Sequence, residues 1–364
     1  MKRIMNVVGA RPNFMKIAPI HRAMKATGGD VEPILVHTGQ HYDERMSKFF
    51  FEDLQLPEPD IYLGVGSGSH AEQTAKVMID FEKVCLEQKP DMVLVVGDVN
   101  STVACSLVAA KLHIPVIHVE AGLRSGDRRM PEEINRLVTD ALSDLLFTTE
   151  KSGNENLAAE GVDPAKVHFV GNVMIDSLAF FLEKSEASTI HADMGLEKGN
   201  YALVTLHRPS NVDDVDNFMK IMTAFEAIQT DIPIVFPIHP RTRKNIAAFG
   251  LAEKVEKMGN LRLLEPAGYL DFMSLTRNCT FVMTDSGGIQ EETTYLGIPC
   301  ITLRENTERP ITVEVGSNEI VGTDTEKIIT LARRILAGEW KKGRIPEKWD
   351  GHAAERIVEV LRSW

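Results

Sequence analysis

The chain has 364 residues, of which 43% are apolar and 25% are charged, and these values are ordinary for a soluble globular protein. This length predicts two domains, each with a core of its own. The net charge of −12 argues against a nucleic-acid-binding surface, which normally needs clustered Lys and Arg. No apolar run is long enough for a membrane span or a signal peptide. We therefore expect a cytoplasmic protein with no nucleic-acid partner and no membrane partner.

The cysteines and histidines show no ligand pattern. Four scattered cysteines lack any C-x-x-C pair, and we expect buried thiols in a reducing compartment: Cys85, Cys105, Cys279 and Cys300. The histidines and acids also lack metal-ligand spacing such as H-E-x-x-H. We therefore expect no bound metal and no cofactor.

Short apolar runs alternate with amphipathic segments along the first half of the chain. The runs predict strands at Arg3–Gly9, Pro33–His37, Met92–Gly97, Pro115–Glu120, Leu145–Thr149 and Val167–Gly171. The segments between them predict helices at Phe14–Ala26, Asp43–Leu54, Ala71–Gln88, Thr102–Leu112, Pro131–Leu142 and Lys151–Glu160. The helix Ala71–Gln88 is predicted to bury the face formed by Ala71, Ala75, Met78, Phe81 and Cys85.

A long helical pattern from Val173 to about Glu186 is followed by a second series of strands and helices. Strands are predicted at Tyr201–Leu206, Ile234–Ile238, Leu261–Leu264, Phe281–Thr284 and Pro299–Leu303. Helices are predicted at Val215–Gln229, Arg241–Phe249, Leu270–Arg277, Ile289–Leu296, Thr325–Ala337 and Ala353–Leu361. This alternation predicts an α/β protein with two doubly wound, Rossmann-like parallel sheets. The expected domains are residues 1–172 and 173–350, with a final helix, about 351–364, packed back on the first.

Ligands of such sheets bind beyond the carboxyl ends of the strands, which directs attention to the residues that follow each strand. After the first strand, Arg11-Pro12 opens a helix, and Arg11 and Lys16 could both contact a diphosphate. The alternative is a solvated arginine at a turn.

Three carboxylates lie at or near the ends of later strands in the first half. Asp98 and Glu120 each follow an apolar strand, and Glu132 begins a helix that also carries Arg136. Three acids in one cleft could supply both acid and base roles. The alternatives are that Asp98 caps the helix near Thr102, and that Glu132 and Arg136 form a surface ion pair.

The second half offers a turn that is typical of a phosphate site. Ser286-Gly287-Gly288 joins a strand to a helix, whose N-terminus suits a phosphate, and Glu292 lies one turn further on, where it could hold a diol. Capping by Ser286 is the alternative. The candidates around this turn are two strand-end histidines, His207 and His239, and a loop that carries Arg304 and Arg309.

These segments, taken together and in this order, resemble the non-hydrolysing UDP-N-acetylglucosamine 2-epimerases, which have the GT-B fold. The matching residues are Gly9–Pro12 with Lys16, Gly97-Asp98, His118–Arg124, Pro131–Arg136, His207-Arg208, Thr284–Glu292 and Thr307–Pro310. The resemblance implies reversible conversion of UDP-GlcNAc to UDP-ManNAc in a homodimer that supplies polysaccharide precursors. It also implies an active site in the cleft between the two domains.

The resemblance assigns roles to individual positions. Diphosphate contacts are implied for Arg11, Lys16, Ser286, Gly287, Gly288 and Arg309. Glu292 would hold the ribose, and Phe272 would lie near the uracil. The family's catalytic acids and histidine match Asp98, Glu120, Glu132 and His207. Arg136 and His239 complete the predicted substrate-binding set.

Some positions depart from the family pattern. Pro266-Ala267-Gly268 replaces a Gln of some bacterial members, and Gln40-His41-Tyr42-Asp43 replaces the Gln-His-Arg of members regulated by a second UDP-GlcNAc. Similar variants occur in relatives that act on diacetamido-uronic acids, so a modified UDP-sugar is the alternative substrate. A glycosyltransferase of the same fold and a non-catalytic UDP-sugar sensor are two further candidate functions. The intact Arg11-Pro12 favours retention of UDP over hydrolysis.

Overall fold

A computed structural model describes residues 1–39 and 56–364. The predicted helix Asp43–Leu54 and the Gln40–Asp43 segment lie outside the described residues. By internal packing the chain divides into two units, residues 1–179 with 347–364, and residues 180–346. Within the described ranges, no helix is long and apolar enough to cross a membrane.

The first unit alternates strands and helices from its N-terminus. Its strands are β1 (Lys2–Val8), β2 (Val31–His37), β3 (Ile61–Tyr62), β4 (Met92–Val96), β5 (Val116–Ala121), β6 (Leu145–Thr148) and β7 (Val167–Phe169). The helices are α1 (Arg11–Lys25), α2 (His70–Gln88), α3 (Asn100–Lys111), α4 (Pro131–Leu142), α5 (Lys151–Ala159), α6 (Val173–Leu182) and α16 (Ala353–Ser363). The division between the units falls inside α6.

Over the described residues, these strands form one parallel sheet in the order β3-β2-β1-β4-β5-β6-β7. Parallel strands are covered on both faces by helices, which explains why β1, β4 and β5 read as nearly continuous apolar runs. The strand order reverses between β1 and β4. This switch point is where ligands of doubly wound sheets bind.

The buried face of α2 differs from the predicted one. Phe81 and Cys85 are buried as predicted, but Ala71 and Ala75 are exposed, and Gln73 and Val77 take their places. The carboxamide of Gln73 is hydrogen-bonded to the Asn100 side chain at 2.8 Å and to the Gly66 carbonyl at 3.3 Å. A polar residue is stable inside when its hydrogen bonds are satisfied, and an apolar periodicity cannot anticipate that.

The second unit repeats the alternation with a smaller sheet. Its strands are β8 (Ala202–Thr205), β9 (Ile234–Pro237), β10 (Leu261–Leu264), β11 (Phe281–Thr284), β12 (Cys300–Thr302) and β13 (Asn318–Ile320). The helices are α7 (Ile190–Met194), α8 (Pro209–Val212), α9 (Val215–Ile228), α10 (Pro240–Ala248), α11 (Ala252–Glu256), α12 (Tyr269–Arg277), α13 (Gly287–Leu296), α14 (Ile311–Glu314) and α15 (Thr325–Leu336). The parallel order is β10-β9-β8-β11-β12-β13, so this sheet reverses between β8 and β11.

The unpredicted elements are all short: β3, β13, α7, α8, α11 and α14. Such segments contain too few residues for a periodic pattern, so packing rather than sequence decides their conformation. All four cysteines are unpaired and buried, as predicted.

Residues 347–364 belong to the first unit because specific polar contacts hold them there. Asp176 of α6 accepts hydrogen bonds from the backbone N–H groups of Ala353 and Ala354, at 3.1 and 2.7 Å, and thereby caps α16. The indole of Trp349, 1% exposed, donates to the Thr149 carbonyl at 3.0 Å. Helix α16 packs on α1 of the same unit.

Replacing Asp176 with Ala should lower the free energy of unfolding by about 1–2 kcal/mol, because two N–H groups at the start of α16 lose their acceptor. Chemical denaturation monitored by far-UV circular dichroism measures this loss. The control is Asp80→Asn, since Asp80 pairs with exposed Lys83 at the surface of α2. Equal stability of the Asp176 variant and wild type would show that the cap contributes nothing.

Candidate functional site

At the switch point of the first sheet, the chain between β1 and α1 is held close to β4. The side-chain oxygen of Asn13 accepts hydrogen bonds from the N–H groups of Gly9 and Ala10, at 3.2 and 2.9 Å, and its amide donates to the Val96 carbonyl at 3.0 Å. A Cβ at Gly9 would lie 2.4 Å from the Ser101 hydroxyl, so only glycine fits there. Pro12 lies in the first turn of α1, as predicted.

The predicted catalytic acid Glu120 is paired with the predicted substrate residue Lys16. The Lys16 ammonium contacts the Glu120 carboxylate, and both side chains are buried. Glu120 has a φ of 73° and lies where the pairing of β5 with β6 shifts register. A bulge and a left-handed backbone re-aim a side chain, and such strain often occurs at functional sites. The strand therefore ends with Glu120 turned toward α1.

Asp98 also has a basic partner. Its carboxylate lies 2.5 Å from the guanidinium of buried Arg136, which is bonded on its other side to Glu133 at 2.6 Å. Burial raises the pKa of Glu133, but hydrogen bonds from Ser125, Arg136 and Gly126 outweigh it and leave the pKa below its usual value. The alternative that Asp98 caps α3 is wrong, because Val99 occupies the N-cap position and no side chain caps that helix.

A cavity of about 290 Å³ lies beside this cluster in the first unit. Asp98 and Glu132 both line it. Within residues 1–39 and 56–364, the Glu132 carboxylate makes neither a hydrogen bond nor an ion pair. The remaining side-chain lining is mostly neutral and polar, from Ser67, His70, Gln73, Asn100 and Asn135. Two acids on one cavity, one paired with Arg136 and one unpaired, have different environments and can take different proton-transfer roles.

At the switch point of the second sheet, buried Asp285 organises the end of β8. It accepts hydrogen bonds from the backbone N–H groups of His207 and Arg208 and from the amide of Asn211. Burial raises the pKa of Asp285, but the hydrogen bonds from His207 and Arg208 outweigh it and hold the pKa below its usual value.

Asp285 also fixes the ring of His207. The ring Nδ1 lies 2.9 Å from the carboxylate, while the side chain is 55% exposed. A carboxylate can only accept, so Nδ1 carries the proton and Nε2 faces outward. In this tautomer Nε2 can accept a proton, and the imidazolium so formed is stabilised by Asp285. His207 can therefore act as a proton donor or acceptor at the end of β8.

Helix α13 begins at Gly287, directly after β11 and this aspartate. Ser286 occupies the N-cap position, as the capping alternative has it, but its side chain makes no capping hydrogen bond. The first intrahelical N–H bond is that of Gln290 to the Ser286 carbonyl, at 3.4 Å. The Ser286 N–H donates to the Thr284 hydroxyl at 2.9 Å, whereas the N–H groups of residues 287–289 have no acceptor in the described part of the chain. A phosphate is the ligand that such a helix N-terminus favours.

Buried ion pairs hold the loop after β12 against the start of α13. The Arg309 guanidinium lies 2.5 Å from Glu291 and 3.4 Å from Glu308, and Arg304 lies 2.8 Å from Glu308. Arg208, from the end of β8, adds a third guanidinium 4.0 Å from Glu308. Burial would raise the pKa of Glu308, but Arg309 and Arg304 lower it far below its usual value. Three arginines therefore face two acids beside the N-terminus of α13, which leaves an excess of positive charge there.

Replacing Gly287 with Ala should weaken UDP binding about tenfold, because the new Cβ would lie 2.7 Å from a Glu308 carboxylate oxygen and displace it from its arginines. Isothermal titration calorimetry with UDP measures this change. Gly259→Ala is the matched control, since a Cβ there meets no atom within 4 Å. Unchanged UDP affinity of the Gly287 variant would show that the start of α13 does not contact the nucleotide.

Glu292, on the second turn of α13, is 5% exposed. In the described part of the chain its carboxylate has neither a hydrogen-bond partner nor a cation. Burial, with a smaller effect of neighbouring Glu291, raises its pKa to about 8. An acid so placed is stabilised by a ligand that donates hydrogen bonds, and a ribose diol is such a ligand.

The other predicted residues of the second unit have less distinctive surroundings. Phe272 of α12 packs partly buried against an apolar cluster of this unit. His239 is exposed and caps α10, because its Nδ1 accepts from the Arg241 N–H at 3.2 Å. For His239 the structure gives a local structural role. Arg11, in the first unit, opens α1 shortly after β1.

Several residues at the two switch points were not predicted from the sequence as site residues. They are Asn13, His70, Gln73, Asn100, Glu133 and Asn135 in the first unit, and Arg208, Asp285, Gln290 and Glu308 in the second. The sequence does indicate Arg208 as a site residue, because Arg208-Pro209 repeats the Arg11-Pro12 element that follows the first strand of the other sheet. It also indicates Glu133, Asn135, Asp285, Gln290 and Glu308, because they lie inside the motifs that match the family. It does not indicate Asn13, His70, Gln73 and Asn100, since their importance depends on partners distant in sequence. Among the described residues, no group of three or more His, Cys, Asp or Glu could hold a metal ion.

Two parallel α/β sheets, each with acidic and basic residues clustered at its switch point, define a protein of the GT-B type. The sequence profile of the UDP-N-acetylglucosamine 2-epimerase family matches residues 22–362, and the chain belongs to this family. The predicted family, the parallel α/β fold class and the isomerase class are thereby confirmed.

Individual relatives cover nearly the whole chain. A UDP-N-acetylglucosamine 2-epimerase of Methanocaldococcus jannaschii is 45% identical over 98% of this chain and 97% of its own. A UDP-2,3-diacetamido-2,3-dideoxy-D-glucuronate 2-epimerase of Pseudomonas aeruginosa is 40% identical over 99% of both chains. The crystal structure of the M. jannaschii enzyme in complex with UDP-GlcNAc and UDP has a TM-score of 0.89, with 44% identity over 100% of both chains.

Proposed function

We propose that this protein interconverts UDP-GlcNAc and UDP-ManNAc. The observation that carries the proposal is the grouping of Asp98 and Glu132 on one cavity of a chain that belongs to this epimerase family. We further infer that the second unit binds the nucleotide. Its helix N-terminus and arginine cluster suit the diphosphate, and Glu292 suits the ribose.

The chemistry requires UDP to leave before the proton at C2. That proton is not acidic, because no carbonyl adjoins the carbon. When the C1–O bond breaks, its electron pair leaves with UDP and positive charge develops at C1, which makes the C2 proton acidic. Loss of this proton gives a 2-acetamidoglucal. Reprotonation of C2 on the opposite face and re-addition of UDP at C1 complete the epimerisation.

The proposed roles follow from each residue's environment. Helix α13, Arg11 and Arg309 stabilise the departing diphosphate. Asp98, Glu120 and Glu132 transfer the proton and offset the charge at C1. Lys16, which contacts Glu120, binds the diphosphate. His207, with its outward Nε2, assists the leaving group.

The test is incubation of purified protein with UDP-GlcNAc alone in D₂O. We expect UDP-ManNAc with deuterium at C2. Formation of free ManNAc and UDP would instead establish a hydrolysing reaction. A requirement for an acceptor sugar would indicate a glycosyltransferase, and binding of UDP-GlcNAc without turnover would indicate a sensor.

The second candidate substrate is a UDP-diacetamido-uronic acid, which the 40% identity to the P. aeruginosa enzyme favours. Measuring kcat/KM for each UDP-sugar decides between the two, because the true substrate should have the higher value. We also propose that the protein is a cytoplasmic homodimer that supplies a polysaccharide precursor. Size-exclusion chromatography with light scattering tests the dimer.

A further inference from the structure

A completely buried histidine, His118, joins strand β5, which carries Glu120, to the end of β4, which Asp98 follows. It lies on β5, two residues before Glu120, and is 0% exposed. Its ring Nδ1 lies 2.6 Å from an Asp140 carboxylate oxygen of α4, and its Nε2 lies 2.9 Å from the carbonyl oxygen of Gly97 at the end of β4. The proposed mechanism gives this residue no role.

Each of these two contacts requires a proton on the ring nitrogen that makes it. A backbone carbonyl can only accept a hydrogen bond, and an ionised carboxylate can only accept one. Both ring nitrogens of His118 must therefore donate, which is possible only in the imidazolium form. Asp140 is ionised, because its second oxygen accepts from the Gly122 N–H at 3.0 Å and pairs with Arg124 at 2.7 Å.

Charged groups lie on both sides of the ring. Burial raises the pKa of Asp140, but His118 and Arg124 outweigh it and keep the pKa below its usual value. Beyond Asp140, Arg124 also pairs with Glu160 of the neighbouring segment. On the other side, the ion pair of Lys16 and Glu120 lies against Gly97. From Glu160 through Arg124 to Asp140, the charges alternate in sign.

The bond to Gly97 controls the position of Asp98. Gly97 has a φ of 67°, in the left-handed region, and its carbonyl belongs to the same rigid peptide plane as the Asp98 N–H. A donor fixed on that carbonyl fixes the plane and therefore the starting point of the Asp98 side chain. Because the same ring lies on the strand of Glu120, it also fixes the separation of the two acids.

We propose that His118 is a positioning residue, held as an imidazolium between Asp140 and the Gly97 carbonyl, that sets the geometry of Asp98 and Glu120. The expected effect of His118 on catalysis rests on the proposed function. The structural part of the inference, the doubly protonated ring, does not depend on activity.

Nitrogen-15 NMR of histidine-labelled protein tests the protonation state directly. We expect both ring nitrogens of His118 to carry protons at pH 7.5. The internal control is His37, whose Nδ1 accepts from the Gly39 N–H at 2.8 Å and whose burial lowers its pKa to about 4, so its ring is neutral at this pH. One unprotonated nitrogen on His118 at pH 7.5 would overturn the proposal, even if the protein proves to be no epimerase.

Three variants test the positioning role. His118→Leu removes both donors, and we expect kcat to fall at least tenfold with KM within about twofold. His118→Gln retains a donor that can reach Gly97 and should recover most of that kcat. Asp140→Asn lets the amide donate to a neutral ring, which retains both hydrogen bonds and removes the ring charge, so we expect its kcat to stay within about threefold of wild type. Unchanged kcat in a folded His118→Leu variant would overturn the positioning role, and so would a tenfold loss of kcat in Asp140→Asn.

Discussion

Replacing Asp98 with Asn should lower kcat for epimerisation by about 10²–10⁴-fold, the range typical of a lost general acid or base. Asn has nearly the same size and can still accept a hydrogen bond from Arg136, so the change removes chiefly the charge and the ability to carry a proton. The measurement is the initial rate of UDP-ManNAc formation, followed by NMR in D₂O together with deuterium content at C2.

The affinity for UDP should change less than about threefold in the same variant, because the residues proposed to bind the nucleotide belong mainly to the second unit. Asp80→Asn is again the matched control, since Asp80 lies at the surface of α2, where it pairs with exposed Lys83. A kcat within twofold of wild type would remove Asp98 from the catalytic set. Loss of UDP affinity with unchanged kcat would instead make it a binding residue.

Replacing Glu292 with Gln should stabilise the ligand-free protein at high pH. The pKa of Glu292 is about 8 in the folded protein against an ordinary value of 4.5, so the folded state binds the proton more tightly than the unfolded state does. The contribution of this group to stability is therefore fully present below pH 4.5 and is lost as the pH rises through 8. Because Gln carries no charge, the free energy of unfolding of the variant should exceed that of wild type by a few kcal/mol at pH 9.

Denaturation with urea at pH 5, 7 and 9 measures this difference, which should grow with pH. Glu253→Gln, on the exposed part of α11, is the control and should show no such trend.

Replacing Glu292 with Ala should weaken UDP binding about 10–100-fold, because the change removes the proposed acceptor for the ribose hydroxyls. Isothermal titration calorimetry measures this affinity. If UDP affinity were unchanged, α13 would not hold the ribose.

The alternation of strands and helices was predictable because each element is long enough to show its own period. Strands such as Phe281–Thr284 and helices such as Pro131–Leu142 have the predicted bounds. Where a pattern was ambiguous, the prediction was wrong in detail. The buried face of α2 contains Gln73, whose partner Asn100 lies 27 residues away in sequence.

The candidate site was predictable in part. The rule that ligands bind at strand ends selects Asp98, Glu120 and Ser286 from the sequence alone, because chain direction fixes which end of a parallel strand is the carboxyl end. The pairing of these acids with basic residues was not predictable. Asp98 is bonded to Arg136, and Lys16 to Glu120, so the acids face cations where the sequence suggested that they face one another.

By itself, the sequence determined the parallel α/β fold, the order of the elements and the family, since these depend on local periodicity and on motifs contiguous in the chain. The tertiary structure alone decided the charge and tautomer of the site residues. His207 has its proton on Nδ1 because Asp285 faces it, and His118 has two protons because Asp140 and Gly97 face it. These properties depend on which groups a fold brings within about 3 Å, and residues 21 to 78 positions apart meet only after folding.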